Sequence, residues 1–256
     1  MIWTLRRRRS LRIAAGSLVL LLGAVSLRAG AAEVQLRMLF RDKPPYSYLE
    51  KGEPKGFLYE RTRKILDLAG VRASYEMLPP KRLFAEIESN HGPVCSFGWY
   101  RIPSREAFAK FTRPIHQDRP HLVLARRQLA DRLRAAGSLA AIAGDRSLSL
   151  AAADGVSYGP DLDALIASFA GRVERMLTAP LQVAQNVAAG RADLMFIDQD
   201  DFDYLRASAR DFPKEELLAL SFPDMPPGLR RHILCSRQVS DELMERMDTA
   251  IMRVLP

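Results

Sequence analysis

The sequence predicts an α/β protein made of two units of similar size, and three observations carry that expectation. Apolar runs of strand length alternate with segments of helical periodicity, the pattern of a sheet with helices on its faces. The alternation breaks after Arg127 in an Ala- and Arg-rich stretch and then restarts. Aromatic, basic and acidic residues gather just past the ends of the apolar runs, where open α/β sheets bind ligands.

The elements follow in order. Residues 34–40 (VQLRMLF) read as a first strand. Residues 41–56 hold three prolines and two glycines and read as a loop or tight hairpin. Phe57, Leu58, Ile65, Leu66 and Ala69 share one helical face, and Gly70 ends that helix. Residues 73–78 form a second strand stopped by Pro79 and Pro80, and Leu83, Phe84 and Ile87 mark the next helix. Strands follow at 94–97 and 121–125. After the 128–144 stretch, residues 147–153 restart the pattern, and 155–159 (GVSYG) form a turn. Pro160 suits a first helical position, and Leu162, Leu165, Ile166 and Phe169 recur at helical spacing. A strand at 173–177, a helix at 180–189 and an apolar strand at 194–197 (LMFI) come next. That last strand runs into Asp198, Asp200, Asp201 and Asp203. A Pro-rich stretch at 222–228 leads to a strand at 231–235. The final helix starts at Ser240 and lines up Leu243, Met247, Ala250, Ile251 and Val254.

The N-terminus reads as a cleavable signal peptide over residues 1–32. It has a basic start (Arg6 to Arg9 and Arg12), an uncharged run at 13–27 and the small triplet Ala29-Gly30-Ala31. The leader holds six arginines and no acids, so its removal takes the formal charge from +8 to +2. The basic excess therefore does not argue for nucleic-acid binding. Export places Cys95 and Cys235 in an oxidising compartment, where a disulfide and two buried thiols are both open readings. His91, His116, His121 and His232 show no i, i+4 pairing and there is no C-x-x-C, so no metal site is expected.

The order of motifs is PPYSYLEKGEPKGFLYE, then GWYRIPSREAFAKFTRPI, then GVSYG, then AAGRADLMFID. It resembles the bacterial extracellular solute-binding proteins of the amino-acid-binding type, family 3, over nearly the whole chain beyond the leader. The resemblance implies the type II periplasmic-binding-protein fold. In that fold two lobes, each a mostly parallel sheet flanked by helices, are joined by two hinge crossings. It places lobe 1 at 33–127 plus 221–256 and lobe 2 at 128–220. It implies a periplasmic monomer, not an enzyme and without a cofactor. Such a protein captures a small ligand, an amino acid or related carboxylate, for an ABC-type transporter permease or a sensor receptor.

The same resemblance assigns site residues. Arg105 is the carboxylate clamp, with Arg101 as its neighbouring rival. Gly98, Trp99 and Tyr100 form the strand exit that contacts ligand, and Tyr46 is an aromatic laid over it. Ser157, Tyr158 and Gly159 start a helix whose free N–H groups meet an anion. Asp198 holds an α-ammonium, and Asp201 can do the same work. Trp99 and Tyr100 stand where common amino-acid binders carry small or hydroxyl residues.

Two enzymatic readings compete. GVSYG fits G-x-S-x-G, and acids (Asp198, Asp201) and His232 follow Ser157 in the order of a serine hydrolase, without an upstream oxyanion segment. A dehydratase or lyase on the same fold would need a cleft carboxyl acid, for which Asp198, Asp201 and Glu60 are the candidates.

Overall fold

The computed structural model describes Met1, residues 34–177 and residues 179–255. The expected leader and its cleavage site lie outside the described residues. Two five-stranded sheets organise the rest. The first half of the chain contributes β1 (Val34–Phe40), a small hairpin of β2 (Tyr48–Glu50) and β3 (Glu53–Lys55), and helix α1 (Phe57–Leu68). It continues with β4 (Val71–Met77), α2 (Pro80–Ser89), β5 (Val94–Tyr100), the short α3 (Pro103–Glu106) and β6 (Ala109–Gln117). Then come β7 (Leu122–Arg126), α4 (Ala130–Ala136), α5 (Leu139–Ala143), β8 (Ser149–Ala153), α6 (Pro160–Ala167) and β9 (Arg172–Met176). The last third holds α7 (Pro180–Ala188), β10 (Leu194–Ile197), α8 (Gln199–Ser208), β11 (Leu217–Leu220), β12 (Arg230–Ser236) and α9 (Asp241–Val254).

The first sheet runs β4-β1-β5-β12-β6 and the second β11-β7-β10-β8-β9. In the first, β1 is parallel to β4 and β5, while β12 is antiparallel to both β5 and β6. In the second, β7 is antiparallel to β10 and β11, and β8 is parallel to β10 and β9. Each sheet therefore has a single reversed strand, and in both it is the strand that follows a passage from the other sheet. The chain leaves one sheet at the edge that faces the other, so the next strand must start there and run away from it.

The segment at 121–125, expected in the first lobe, is β7, and it is hydrogen-bonded to β10 and β11 in the second sheet. The chain thus passes between sheets at 118–121 and again at 221–229. The sequence predicts neither β11 (LLAL) nor β6 (AKFTRPIHQ), and β6 carries charges and Pro114. It is an edge strand, where a missing N–H is tolerated.

Packing explains the elements. Successive residues of β1 serve opposite faces. Leu36, Met38 and Phe40 pack with Ile65 of α1 and Met247 of α9, while Leu39 packs with Leu83 and Ile87 of α2. The second sheet is covered likewise. Leu150, Leu194 and Phe196 meet Leu162 and Ile166 on one face, and Leu124, Met195 and Ile197 meet Val183 and Val187 of α7 on the other. The α9 helix begins where the Ser240 side chain accepts from Leu243 N at 3.2 Å. Helix α1 begins at Gly56 with φ of 116°, and a Cβ there would lie 2.4 Å from the Tyr46 carbonyl oxygen. Cys95 and Cys235 face each other across β5 and β12 and form a disulfide, which resolves the open thiol question.

Candidate functional site

A cavity of about 760 Å³ lies between the strand ends of the two sheets. Its first wall comes from the exits of β1 and β5. Gly98 interrupts β5 with φ of 85°. The pairing with β12 runs Phe97 to Ile233 and then Trp99 to His232, so Gly98 is the extra residue of a bulge. Its carbonyl accepts from Arg231 Nη1 at 3.1 Å. The opposite wall is the β8–α6 turn, the segment before α7 and the end of β10.

Eight of the ten residues expected at the site line this cavity: Gly98, Trp99, Tyr100, Arg105, Ser157, Tyr158, Asp198 and Asp201. Gly159 does not line it; it caps α6, with Leu229 where a Cβ would go. Tyr46 does not line the cavity either. It is 2% exposed and packs at 4.9 Å from the Phe57 ring, and its hydroxyl donates to Asp200 at 3.2 Å, so it supports the junction between lobes. The two arginine rivals separate cleanly. Arg101 is exposed and paired with Glu106 at 2.5 Å. Arg105 lines the cavity, donates to the Tyr100 carbonyl at 3.0 Å and sits over the Phe84 and Trp99 rings.

Several residues of the site were not read from sequence. Arg41, immediately after β1, stacks 4.5 Å from the Trp99 ring centroid. Arg231 is buried and forks onto Asp118, with Nε and Nη2 each 2.7 Å from a carboxylate oxygen. It also donates to the Tyr100 hydroxyl at 2.9 Å and approaches Asp198 at 3.4 Å, between the rings of Tyr46 and Tyr100. Lys43 reaches Asp198 at 2.9 Å and Asp201 at 2.5 Å, and His121 Nε2 lies 3.2 Å from Asp198. Ion pairs thus join the two lobes directly. A position just past a strand end was the available signal for Arg41 and Lys43. Arg231 lies inside β12 and gave none.

These contacts set the charge states. Burial pushes the Asp198 carboxyl up, but Lys43, Arg231 and His121 outweigh it and hold it well below the usual range. Asp201 is pushed up to about 6, because burial and the Asp198 charge outweigh Lys43; its Oδ1 makes no hydrogen bond. Burial and the nearby Arg231 lower Arg41 to about 10, and burial and Arg41 lower Arg105 to about 10. Tyr100 is raised well above its ordinary value, first by burial.

The hydrolase constellation is not assembled. The Ser157 hydroxyl donates to Asp163 at 2.6 Å, while His232 Nδ1 lies 2.7 Å from the Thr112 carbonyl in the first sheet. Glu60 is on the outer face of α1 with Arg63, not at the cavity. His116, Asp118 and Asp200 bring ligand atoms within 4.8 Å of one another, the geometry of a metal cluster. Asp118 is already held by Arg231, and Asp200 by Arg119 at 2.5 Å, so guanidinium groups occupy the charge a cation would neutralise.

The family model for bacterial extracellular solute-binding proteins, family 3, matches residues 36–254. No curated protein sequence matches the chain. Among solved structures, the ancestral amino acid-binding protein AncCDT-1, a precursor of cyclohexadienyl dehydratase, superposes with a TM-score of 0.65 at 16% identity. The alignment covers 86% of this chain and 88% of that one. A structure from work on glutathione import through GshT and the cystine importer TcyBC of Streptococcus mutans gives 0.67 at 14% identity, covering 87% and 89%. An L-arginine-bound amino acid ABC transporter substrate-binding protein from Streptococcus pneumoniae gives 0.64 at 16% identity, covering 86% and 88%. At these identities the likeness is one of fold.

Proposed function

Because the chain belongs to the bacterial extracellular solute-binding proteins of family 3, we infer that its cleft captures a small polar solute bearing a carboxylate, an amino acid or a related acid. The observation that carries this reading is Arg105. Its guanidinium lines the cavity with no carboxylate in ion-pair distance among the described residues. A half-buried guanidinium without a counter-charge favours an anionic ligand. Arg105 is the clamp on lobe 1, and the wall of lobe 2 with Tyr158 and Phe196 closes on the ligand; the expected anion-binding role of the α6 turn is not met, because Asp163 accepts from both the Ser157 hydroxyl and the Tyr158 N–H. Contacts to both lobes favour the closed arrangement in proportion to the ligand's differential affinity. The loaded protein then docks on a permease of an ABC-type transporter or on a sensor.

A thermal-shift screen over amino acids, organic acids and short peptides tests this. Ligand at about 100 times its Kd stabilises by about 2.7 kcal/mol, a shift of roughly 5–10 °C for a chain of this size. Arg105→Ala abolishes the shift and Arg101→Ala retains it. Absence of any shift across the screen counts against the reading.

A second reading is favoured by one observation. Asp201 is buried, its carboxyl titrates near 6 and its Oδ1 is free at the cavity, which are the properties of a general acid. On this reading the protein eliminates water or a leaving group from the bound solute. NMR of the solute after incubation decides between the two. Turnover lost in Asp201→Asn establishes the enzyme, and unchanged solute establishes the carrier.

A further inference from the structure

The charges around the cavity are distributed in a way that an amino-acid ligand does not require. Two guanidinium groups, from Arg41 and Arg105, line the first wall and pack on the same Trp99 ring, with guanidinium carbons 4.5 and 5.3 Å from its centroid. Neither makes an ion pair among the described residues. The Arg105 contact is to a neutral carbonyl. Both are depressed to about 10 by burial, and each also by a neighbouring guanidinium. Such a pair repels itself, and the carboxylates that favour its charge, Asp198 and Asp201 for Arg41 and Asp163 for Arg105, act on it without an ion pair.

The acids tell the complementary story. Asp198 and Asp201 stand where an α-ammonium would be received, but the Lys43 ammonium already sits there, at 2.9 and 2.5 Å. Arg231 adds a further positive contact to Asp198, and His121 Nε2 lies 3.2 Å from its Oδ1. The two other acids at the cavity, Asp42 and Asp154, are exposed at its rim. The lining between the charges is apolar and aromatic, with Trp99, Tyr158, Phe196 and Leu181.

We propose that the ligand is an organic dianion with an apolar body and no ammonium group, a small dicarboxylate, bound through Arg41 and Arg105 together. This rests on the solute-binding reading and narrows its ligand class. One carboxylate meets each guanidinium, or both share the pair. Lys43 plays inside the protein the part that the ligand's own ammonium plays for an amino acid. The cavity volume of about 760 Å³ accommodates a body well beyond a bare inorganic ion.

The test is calorimetric titration of the purified protein with four probes: dicarboxylates of increasing chain length including an aromatic one, the matched monocarboxylates, the common amino acids, and inorganic phosphate. The expected result is binding of at least one dicarboxylate, tenfold or more tighter than its monocarboxylate. Affinity is expected to fall tenfold or more in Arg41→Gln and in Arg105→Gln, and an unchanged circular dichroism spectrum shows that each variant folds. Arg41→Lys, which keeps the charge, retains part of the affinity. An amino acid that binds as tightly as any dicarboxylate, or Arg41→Gln binding within twofold of the parent, overturns the dianion proposal and leaves the solute-binding reading standing. Phosphate binding as tightly as the dicarboxylates overturns the requirement for an organic body. No binding by any probe overturns the proposal and the solute-binding reading together.

Discussion

Replacing Arg231 by Met should unfold this protein more readily than any exposed charge removal. The side chains of Arg231 and Asp118 are 3% and 2% exposed, and the guanidinium meets both carboxylate oxygens at 2.7 Å. Met keeps most of the volume between the Tyr46 and Tyr100 rings but leaves the Asp118 charge with only the Tyr100 hydroxyl at 2.5 Å and His116 at 3.3 Å. Asp198 keeps Lys43, so the penalty falls on Asp118. Breaking a buried pair from one side costs about 4 kcal/mol, which lowers Tm by roughly 12 °C for a chain of this size. Scanning calorimetry and urea unfolding at pH 7 measure it. Asp118→Asn removes the stranded charge, so the double variant should recover about 2 kcal/mol relative to the sum of the single changes. A Tm for Arg231→Met within about 3 °C of the parent, or strict additivity in the cycle, would refute the claim that this pair is the electrostatic centre of the junction.

Three further outcomes are expected. The Asp201 carboxyl is raised to about 6, above its unfolded value near 3.9. The native state therefore holds an extra proton between those values, and stability falls as pH rises from about 4 to 6, by up to about 3 kcal/mol. Asp201→Asn should flatten that part of a urea-midpoint profile. Gly56→Ala drives a Cβ into the Tyr46 carbonyl, which already accepts from Leu58 and Tyr59 N–H. A loss of about 3 kcal/mol is expected in denaturant unfolding. Replacing Cys95 and Cys235 by Ser opens a loop spanning 140 positions, and a loss of about 4 kcal/mol is expected in the same assay.

The fold was legible where a strand is buried on both faces. β10 is an unbroken apolar run, LMFI, and the core of β5, VCSF, is broken only by the buried Ser96. The β6 strand was not legible, because at a sheet edge the backbone pairing on one side is enough and Pro114 with its charged neighbours looks like a loop. Position at or just past the end of an apolar run singles out Trp99, Tyr100, Asp198 and Asp201, which line the cavity. What sequence could not supply is which charges meet. Asp118 and Arg231 are 113 positions apart, and the acids at 198 and 201 look the same whether they face a ligand or Lys43. Tyr46 shows the same limit, since a tyrosine in a Pro-rich loop reads alike whether it packs inward or covers a ligand.

The placement of β12 also dictates an order of assembly. Strands β7 to β11 are contiguous in the chain, so the second sheet is complete in composition once residue 220 has emerged. The first sheet is not. Its β12 sits between β5 and β6, so β6 has no partner strand until residue 230 arrives almost two hundred residues after β1 began. During synthesis the N-terminal strands must therefore wait with an unfilled slot, exposing apolar surface and unpaired strand edges. The sheet that carries Trp99 and Arg105 is the last to close, and Cys235 reaches Cys95 only when it does. A chain truncated before β12 would keep every predicted ligand residue and still have no first wall on which to hold them.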